Sequence, residues 1–391
     1  MKRLVINKMK SAIVTITHVN YGNRLQNYAT FKFLSGLSLE VENISVYDVR
    51  KKTILKRIRN KKYQFVKEII PAPLLRRLWE KKKENNKDEL DIQKEDIFWQ
   101  FTDSYIRTRY IKVYNQRDLI KAFHSMDYEY YFAGSDQIWN PDFAGDDYYF
   151  LEQVDPHKRI AFAASIGYDC ISDKTSRVFR KYWAKMRYIS VREKSAADII
   201  EKVTGDRPDV YLDPTMLLNR NQWEEIIKIP EVKFPIKYAV CLFLGDMPRY
   251  IEDICSNIFN LQIVILNDKK YPNYFLLSPA EFLFAIKNAD IILTDSFHCT
   301  VFSIIFHKQF WVFRRSQKNL GDMFTRIENL LSIMNFSDRI WDIEDCNEED
   351  IIDGNIKDSI HEIRFREADC IMNKEQERVR TIISELLKKK A

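Results

Sequence analysis

Short apolar runs alternate along this chain with longer stretches whose apolar residues recur at helical spacing. Residues 12–17 (AIVTIT) predict a first buried strand, and the spacing of Leu25, Tyr28, Ala29, Phe31, Phe33 and Leu34 predicts a helix behind it. Residues 40–48 predict a second strand. Residues 98–110 read as helical and then extended, and 128–133 (YEYYFA) read as a strand. Strand 160–166, helix 176–186, strand 188–192 and helix 193–203 follow. The second half repeats the theme with strands at 238–244, 262–266, 291–293 and 310–313 and helices at 248–259, 279–287 and 324–334. Strands alternating with helices imply an α/β fold with parallel sheets covered on both faces. Residues 361–390 carry one long amphipathic helix, expected to pack on an existing domain and to cross back to the first one.

The polar residues between these elements are informative. The first strand runs into His18, Asn20, Tyr21, Gly22, Asn23 and Arg24, where Gly22 suits a left-handed turn and Asn23 suits a helix cap. The strand at 128–133 ends in Gly134-Ser135-Asp136-Gln137-Ile138-Trp139-Asn140-Pro141, a small and polar loop of ligand-facing character. Trp139 in it either stacks on a sugar or plugs the loop. Arg192 ends a strand, where its planar fork suits an anion or a structural ion pair. Residues 289–313 (ADIILTDSFHCTVFSIIFHKQFWVF) form strand, polar turn, helix and strand, with His298 where the first strand gives way to the helix. That geometry points N–H groups and the positive helix end at one spot, and the hydroxyls of Ser296 and Thr300, with Arg314 and Arg315 beyond, are phosphate-binding types.

With 391 residues, 46% of them hydrophobic, the chain exceeds what one core usually supports. Residues 1–206 are expected to form a first domain, 207–345 a second, and 346–391 a helical tail, the boundary falling at RPDVYLDPTMLL (207–218), where Pro208 and Pro214 stop helices. Charge is nearly balanced, 62 basic against 56 acidic residues. Residues 50–87 are the exception, with 15 basic residues against 3 acidic, which reads as a solvated insertion or a contact with an anionic membrane surface. No nucleic-acid motif accompanies that charge. No apolar run is long enough to span a membrane, and the N-terminus lacks signal-peptide features, so the expected location is cytoplasmic. The six scattered cysteines read as buried thiols, with no metal site.

Several chemistries are excluded. Neither G-x-G-x-x-G nor G-x-x-x-x-G-K occurs, and G-x-S-x-G and H-E-x-x-H are also absent.

The ordered set GNRLQNYAT (22–30), AGSDQIWNP (133–141), AASIG (163–167), ISVREKSA (189–196), LDPTMLL (212–218) and TDSFHCTVFSIIFHKQF (294–310) resembles the polysaccharide pyruvyltransferase family. The resemblance implies two Rossmann-like domains facing a cleft, as in GT-B glycosyltransferases. It implies transfer of a pyruvyl group from phosphoenolpyruvate to two hydroxyls of a sugar, forming a cyclic ketal, with no cofactor. The sugar is expected to belong to a surface-polysaccharide repeat on a polyprenyl diphosphate carrier. By resemblance, Arg192 holds the donor's phosphate or carboxylate, and His298 touches the phosphate and protonates the methylene carbon or the leaving group. Asp136 is the expected general base, with Asp295 a weaker candidate. Asn23, Ser135, Gln137 and Trp139 are the expected acceptor-facing residues.

The chain departs from the pattern at Ser296-Phe297-His298, where many members carry Arg-Leu-His. Either Arg314, Arg315 or a basic residue of the insertion replaces that arginine, or the donor is not phosphoenolpyruvate. The competing readings are a GT-B glycosyltransferase using a nucleotide sugar and a non-catalytic binding protein.

Overall fold

The computed structural model describes residues 8–48, 88–141, 147–314, 324–341 and 359–389. The basic insertion, Arg315 and Cys346 lie outside them. Two wholly parallel sheets carry the fold. The first has seven strands: β1 (Lys10–Val14), β2 (Glu40–Asp48), β3 (Thr108–Val113), β4 (Tyr130–Ala133), β5 (Arg159–Ala164), β6 (Tyr188–Val191) and β7 (Asp209–Val210), in the order β3-β2-β1-β4-β5-β6-β7. The second has five: β8 (Tyr238–Leu242), β9 (Gln262–Leu266), β10 (Ile291–Thr294), β11 (Gln309–Phe313) and β12 (Ile340–Trp341), in the order β12-β11-β10-β8-β9. Each is a doubly wound, Rossmann-like order, and in each the direction of winding reverses at one place. That place lies between β1 and β4 in the first sheet and between β8 and β10 in the second. Ligands of such sheets bind outside the carboxyl ends of the strands at the reversal.

The central strands are buried throughout, as strands covered on both faces must be; β4 (YYFA), β8 (YAVCL) and β10 (IILT) expose nothing. The helices used below are α1 (Tyr21–Ser35), α2 (Glu89–Tyr105), α3 (Gln116–His124), α4 (Asp173–Trp183), α5 (Lys194–Thr204), α6 (Pro279–Asn288), α7 (Phe297–Ile305), α8 (Thr325–Ile333) and α9 (Glu362–Lys388). The first sheet extends through Val210, a few residues past the 206/207 boundary expected from sequence. The helix expected over 248–259 divides into an α-turn (Tyr250–Asp253) and a π-helical continuation (Ile254–Ile258). Cys241, Cys255 and Cys299 are buried, but Cys170 and Cys370 are exposed, so burial does not extend to all the thiols.

Aromatic packing joins the lobes. Tyr21 of α1 stacks on Phe282 of α6, with ring centroids 4.5 Å apart, and donates to the Leu277 carbonyl at 3.0 Å. Helix α9 ties them a second time. Its buried stripe, Phe365, Ala368, Met372, Val379, Ile383 and Leu387, follows the helical period. Phe365 packs on Phe336 and His307 in the second lobe. At the other end Arg187 donates to the Leu386 carbonyl at 3.0 Å, and Arg380 lies 5.5 Å over the Phe33 ring, both in the first lobe.

Candidate active site

The carboxyl ends of β1 and β4 face those of β8 and β10, and the side chains gathered there come from both lobes. Helix α1 is capped by Asn20, whose side chain accepts from the Asn23 N–H at 3.2 Å. This corrects the cap expected at Asn23 and the left-handed turn expected at Gly22, which is helical. Asn20 takes the capping role and leaves the Asn23 amide to donate to Asp136. Gly22 serves close approach instead: a Cβ there would stand 2.0 Å from His298 Nδ1, so the imidazole lies directly on the α1 backbone.

After β4 the chain is held by Thr15, whose hydroxyl donates to the Ser135 carbonyl at 2.9 Å. Asp136 follows in the left-handed region at φ 68°, an unusual state for a residue with a side chain and one that clusters at functional sites. Its Oδ1 accepts from the Gln137 N–H at 2.9 Å. Burial alone raises its pKa, but Arg192, His298 and Arg326 more than offset this, and the carboxyl is held below its ordinary range.

Arg192, at the end of β6, is the hub. Its Nη1 donates to Asp213 Oδ2 at 2.6 Å, its Nε to Glu193 Oε1 at 3.1 Å, and its Nη2 lies 3.7 Å from Asp136 Oδ1. Burial disfavours its charge, but Glu193, Asp213 and Asp136 more than compensate, so it stays cationic. Asp213 accepts further from the Thr215 N–H at 2.9 Å and hydroxyl at 2.6 Å. Burial raises its pKa, while His298, Arg192 and Thr215 drive it far below the carboxylate range. His298 sits in the first turn of α7 with Nε2 3.6 Å from Asp213 Oδ2, an ion-pairing distance beyond hydrogen-bond reach. Two buried nitrogens in this cluster, His298 Nε2 and Arg192 Nη2, have no hydrogen-bond partner. Each stands within ion-pairing range of a carboxylate, Asp213 and Asp136 respectively, and a buried donor is costly to leave without a hydrogen bond.

The other expected residues divide. Ser296 is the N-cap of α7, makes no side-chain cap bond, and lines a small cavity of about 60 Å³ with His298. That cavity shares Lys94, Leu244 and Asn267 with an interlobe cleft of about 1210 Å³. Thr300 is fully buried and donates to the Ser296 carbonyl at 3.0 Å, which turns its hydroxyl into the helix rather than toward a ligand. Ser135 is fully buried with its hydroxyl unpartnered. Gln137, with its amide oriented by its neighbours, accepts from Arg326 at 3.0 and 2.7 Å. Trp139 is also fully buried, stacked on Phe150 at 5.6 Å and against Trp183 at 5.7 Å, so it plugs the loop and offers no face to a sugar. Asp295 accepts from the Leu244 and Gly245 N–H groups at 2.7 and 2.8 Å, tethering the loop after β8. Arg314 pairs with Glu328 and lies 4.5 Å over the Phe324 ring.

The sequence reading missed four residues. Glu193 and Asp213 stand inside the motifs given above, but as a helix start and as the residue before Pro214. Arg326 of α8 reaches Gln137 and lies 5.7 Å from the Phe297 ring, on which Arg192 also rests at 4.9 Å. Lys94 has a sequence signal: it falls four residues before Phe98 and seven before Phe101, on the buried stripe of α2.

The family model of the polysaccharide pyruvyl transferases matches residues 20–317, which contain this whole cluster except Arg326. The chain belongs to that family. No curated protein matches it. Among solved structures, a UDP-GlcNAc 2-epimerase from Neisseria meningitidis bound to UDP-GlcNAc aligns at 12% identity and TM-score 0.44, over 97% of this chain and 100% of the other. A UDP-N-acetylglucosamine 2-epimerase from Rickettsia bellii aligns at 8% and 0.46, over 97% of both. The glycosyltransferase SnogD from Streptomyces nogalater aligns at 10% and 0.40, over 97% and 99%. Membership in a polysaccharide pyruvyl transferase family makes the chain a transferase. Among the described residues, no helix is long and apolar enough to cross a membrane.

Proposed function

We propose that this pyruvyl transferase moves the enolpyruvyl-derived group of phosphoenolpyruvate onto two hydroxyls of a sugar, releasing phosphate and closing a cyclic ketal. The observation that supports it most is the pair of buried nitrogens without a hydrogen bond, His298 Nε2 after β10 and Arg192 Nη2 at the end of β6. They suit a small, multiply charged donor.

In this reading protonated His298 gives its proton to the donor's methylene carbon, and C2 becomes electrophilic. One sugar hydroxyl adds to C2, and its proton returns to the imidazole. The second hydroxyl then replaces phosphate at C2, its proton leaving with the phosphate. A proton donor and acceptor of this type contributes roughly 10²–10⁴-fold. Asp213 holds the imidazole's charge. Asp136, expected as the base, takes a different part: a carboxylate held below its ordinary range is a weak base, and its bonds to Asn23 and Arg192 make it a positioning residue. Arg326 supplies the second guanidinium that Ser296 does not. Ser135 and Gln137 flank the acceptor side.

The acceptor is a sugar of a surface-polysaccharide repeat carried on a polyprenyl diphosphate, met at the anionic cytoplasmic leaflet through residues 50–87. Ser296 in the arginine position favours a second reading, a nucleotide-sugar glycosyltransferase. Incubation with phosphoenolpyruvate and lipid-linked oligosaccharide separates the two. Phosphate release with a ketal product is expected; neither product, together with thermal stabilisation by a nucleoside diphosphate alone, overturns the reading.

A further inference from the structure

Lys94 is a buried lysine that no described carboxylate pairs with. Its residue is 4% exposed, and its ammonium donates to the side-chain oxygen of Asn267 at 2.9 Å, across the lobe boundary. Otherwise it is surrounded by aromatic faces: Phe275 at 3.8 Å, Tyr21 at 5.2 Å and Phe98 at 5.9 Å. Asp91, an acid about one turn earlier on the same helix, is taken by Lys269 at 2.8 Å. An ammonium has three N–H groups, and a neutral amide and ring faces compensate its burial only in part. The same side chain lines both the small cavity that holds His298 and the larger interlobe cleft. Asn267, its partner, is held in the left-handed region at φ 65°, as befits a residue fixed for position.

We propose that Lys94 is a further substrate-binding residue, the first lobe's cation for a phosphate group held against His298 in the cavity between the lobes. The inference rests on the phosphate-dependent reading of this site. A phosphate there completes the shell of Lys94, whose ammonium supplies a positive charge where Ser296 has none. Charged and titratable groups face Lys94 from each side: Asp91 on its own helix, Lys269 from the second lobe, the Tyr21 phenol from α1 and His298 across the cavity. Burial pulls the Lys94 ammonium down to about 7, with Asp91 opposing and Lys269 assisting. Above that pH the free protein holds a neutral amine, and binding a phosphate draws in a proton.

The phosphate belongs either to the donor or to the diphosphate of the acceptor's carrier, and calorimetry on the full chain at pH 8 separates them. Phosphoenolpyruvate and inorganic diphosphate are titrated in buffers of different ionisation enthalpy. Wild type is expected to bind phosphoenolpyruvate with proton uptake. Lys94→Met loses about tenfold or more in affinity, the worth of one charge-assisted hydrogen bond, while Lys94→Arg binds without proton uptake. Unchanged binding by Lys94→Met overturns the inference and leaves pyruvyl transfer standing. Lys94-dependent binding of diphosphate alone supports a phosphate site, moves it to the carrier, and counts against the donor reading. Binding of neither probe overturns both.

Discussion

The His298 ring rests on the backbone of Gly22, so close that the Cβ of an alanine would overlap Nδ1 at 2.0 Å. A residue of the first lobe therefore decides where a residue of the second lobe stands. Gly22→Ala is expected to lower kcat/KM by about tenfold or more, since catalytic groups tolerate little displacement. Alanine is the better helix former by roughly 1 kcal/mol, which offsets part of the strain, so the melting temperature should move little. Steady-state kinetics beside a thermal melt checks this; an active, unshifted variant would refute the contact.

His298→Gln removes the proposed proton carrier and keeps the volume. Ketal formation should fall by about 10²-fold or more. Phosphoenolpyruvate affinity should fall less, because Arg192 still presents Nη2. Product analysis and binding measured on the same preparation distinguish a lost proton step from a lost site.

Asp213 ties stability to pH. Its folded pKa is depressed, so its contribution is fully present above the unfolded value near 3.8 and is lost as pH falls below it. Urea unfolding between pH 3 and 7 should show this acid limb in wild type. Asp213→Asn should flatten it and cost about 3–5 kcal/mol at pH 7, because Arg192 keeps its charge with one fewer counter-ion.

Trp139 separates packing from recognition. Trp139→Ala should destabilise the fold by about 3–5 kcal/mol, while Trp139→Phe keeps most of the stability and leaves the acceptor KM within about twofold. A raised acceptor KM in a stable Trp139→Phe protein would restore the sugar-stacking role.

Much of the architecture was legible because it is local. Apolar runs and helical spacing gave strand β9 its full bounds and placed helix α6 within a residue at its end. The two polar loops that carry the candidate site were legible for the same reason: each follows a buried strand with small, polar residues. What the sequence withheld is juxtaposition. Arg326 lies on a helix with nothing nearby to mark it, and it meets Gln137 only because the second lobe folds over the first. Lys94 falls on the buried stripe of α2, but its spacing does not show the rings of Tyr21, Phe98 and Phe275 around its ammonium. Asp213 was read as the residue before a proline; its carboxylate reaches Arg192 from 21 positions away through a crossover that no periodicity encodes. Trp139 shows the converse. A tryptophan in a polar loop has the same sequence signature whether it faces a ligand or fills the space behind one.

Helix α9 gives the chain an order of assembly. The strands of the first lobe can pair once residue 210 is made, but the surface holding Phe33, Tyr130 and Arg187 is covered only by residues near 380–389. Tyr130 and Leu387, whose side chain and carbonyl meet at 3.5 Å, are 257 positions apart. During synthesis the first lobe must therefore wait, with that apolar face uncovered, until the second lobe and α9 have left the ribosome. The interval is roughly 10–40 s at 5–20 residues per second. Closing that face adds the second tie between the two lobes, after the packing of Tyr21 on Phe282.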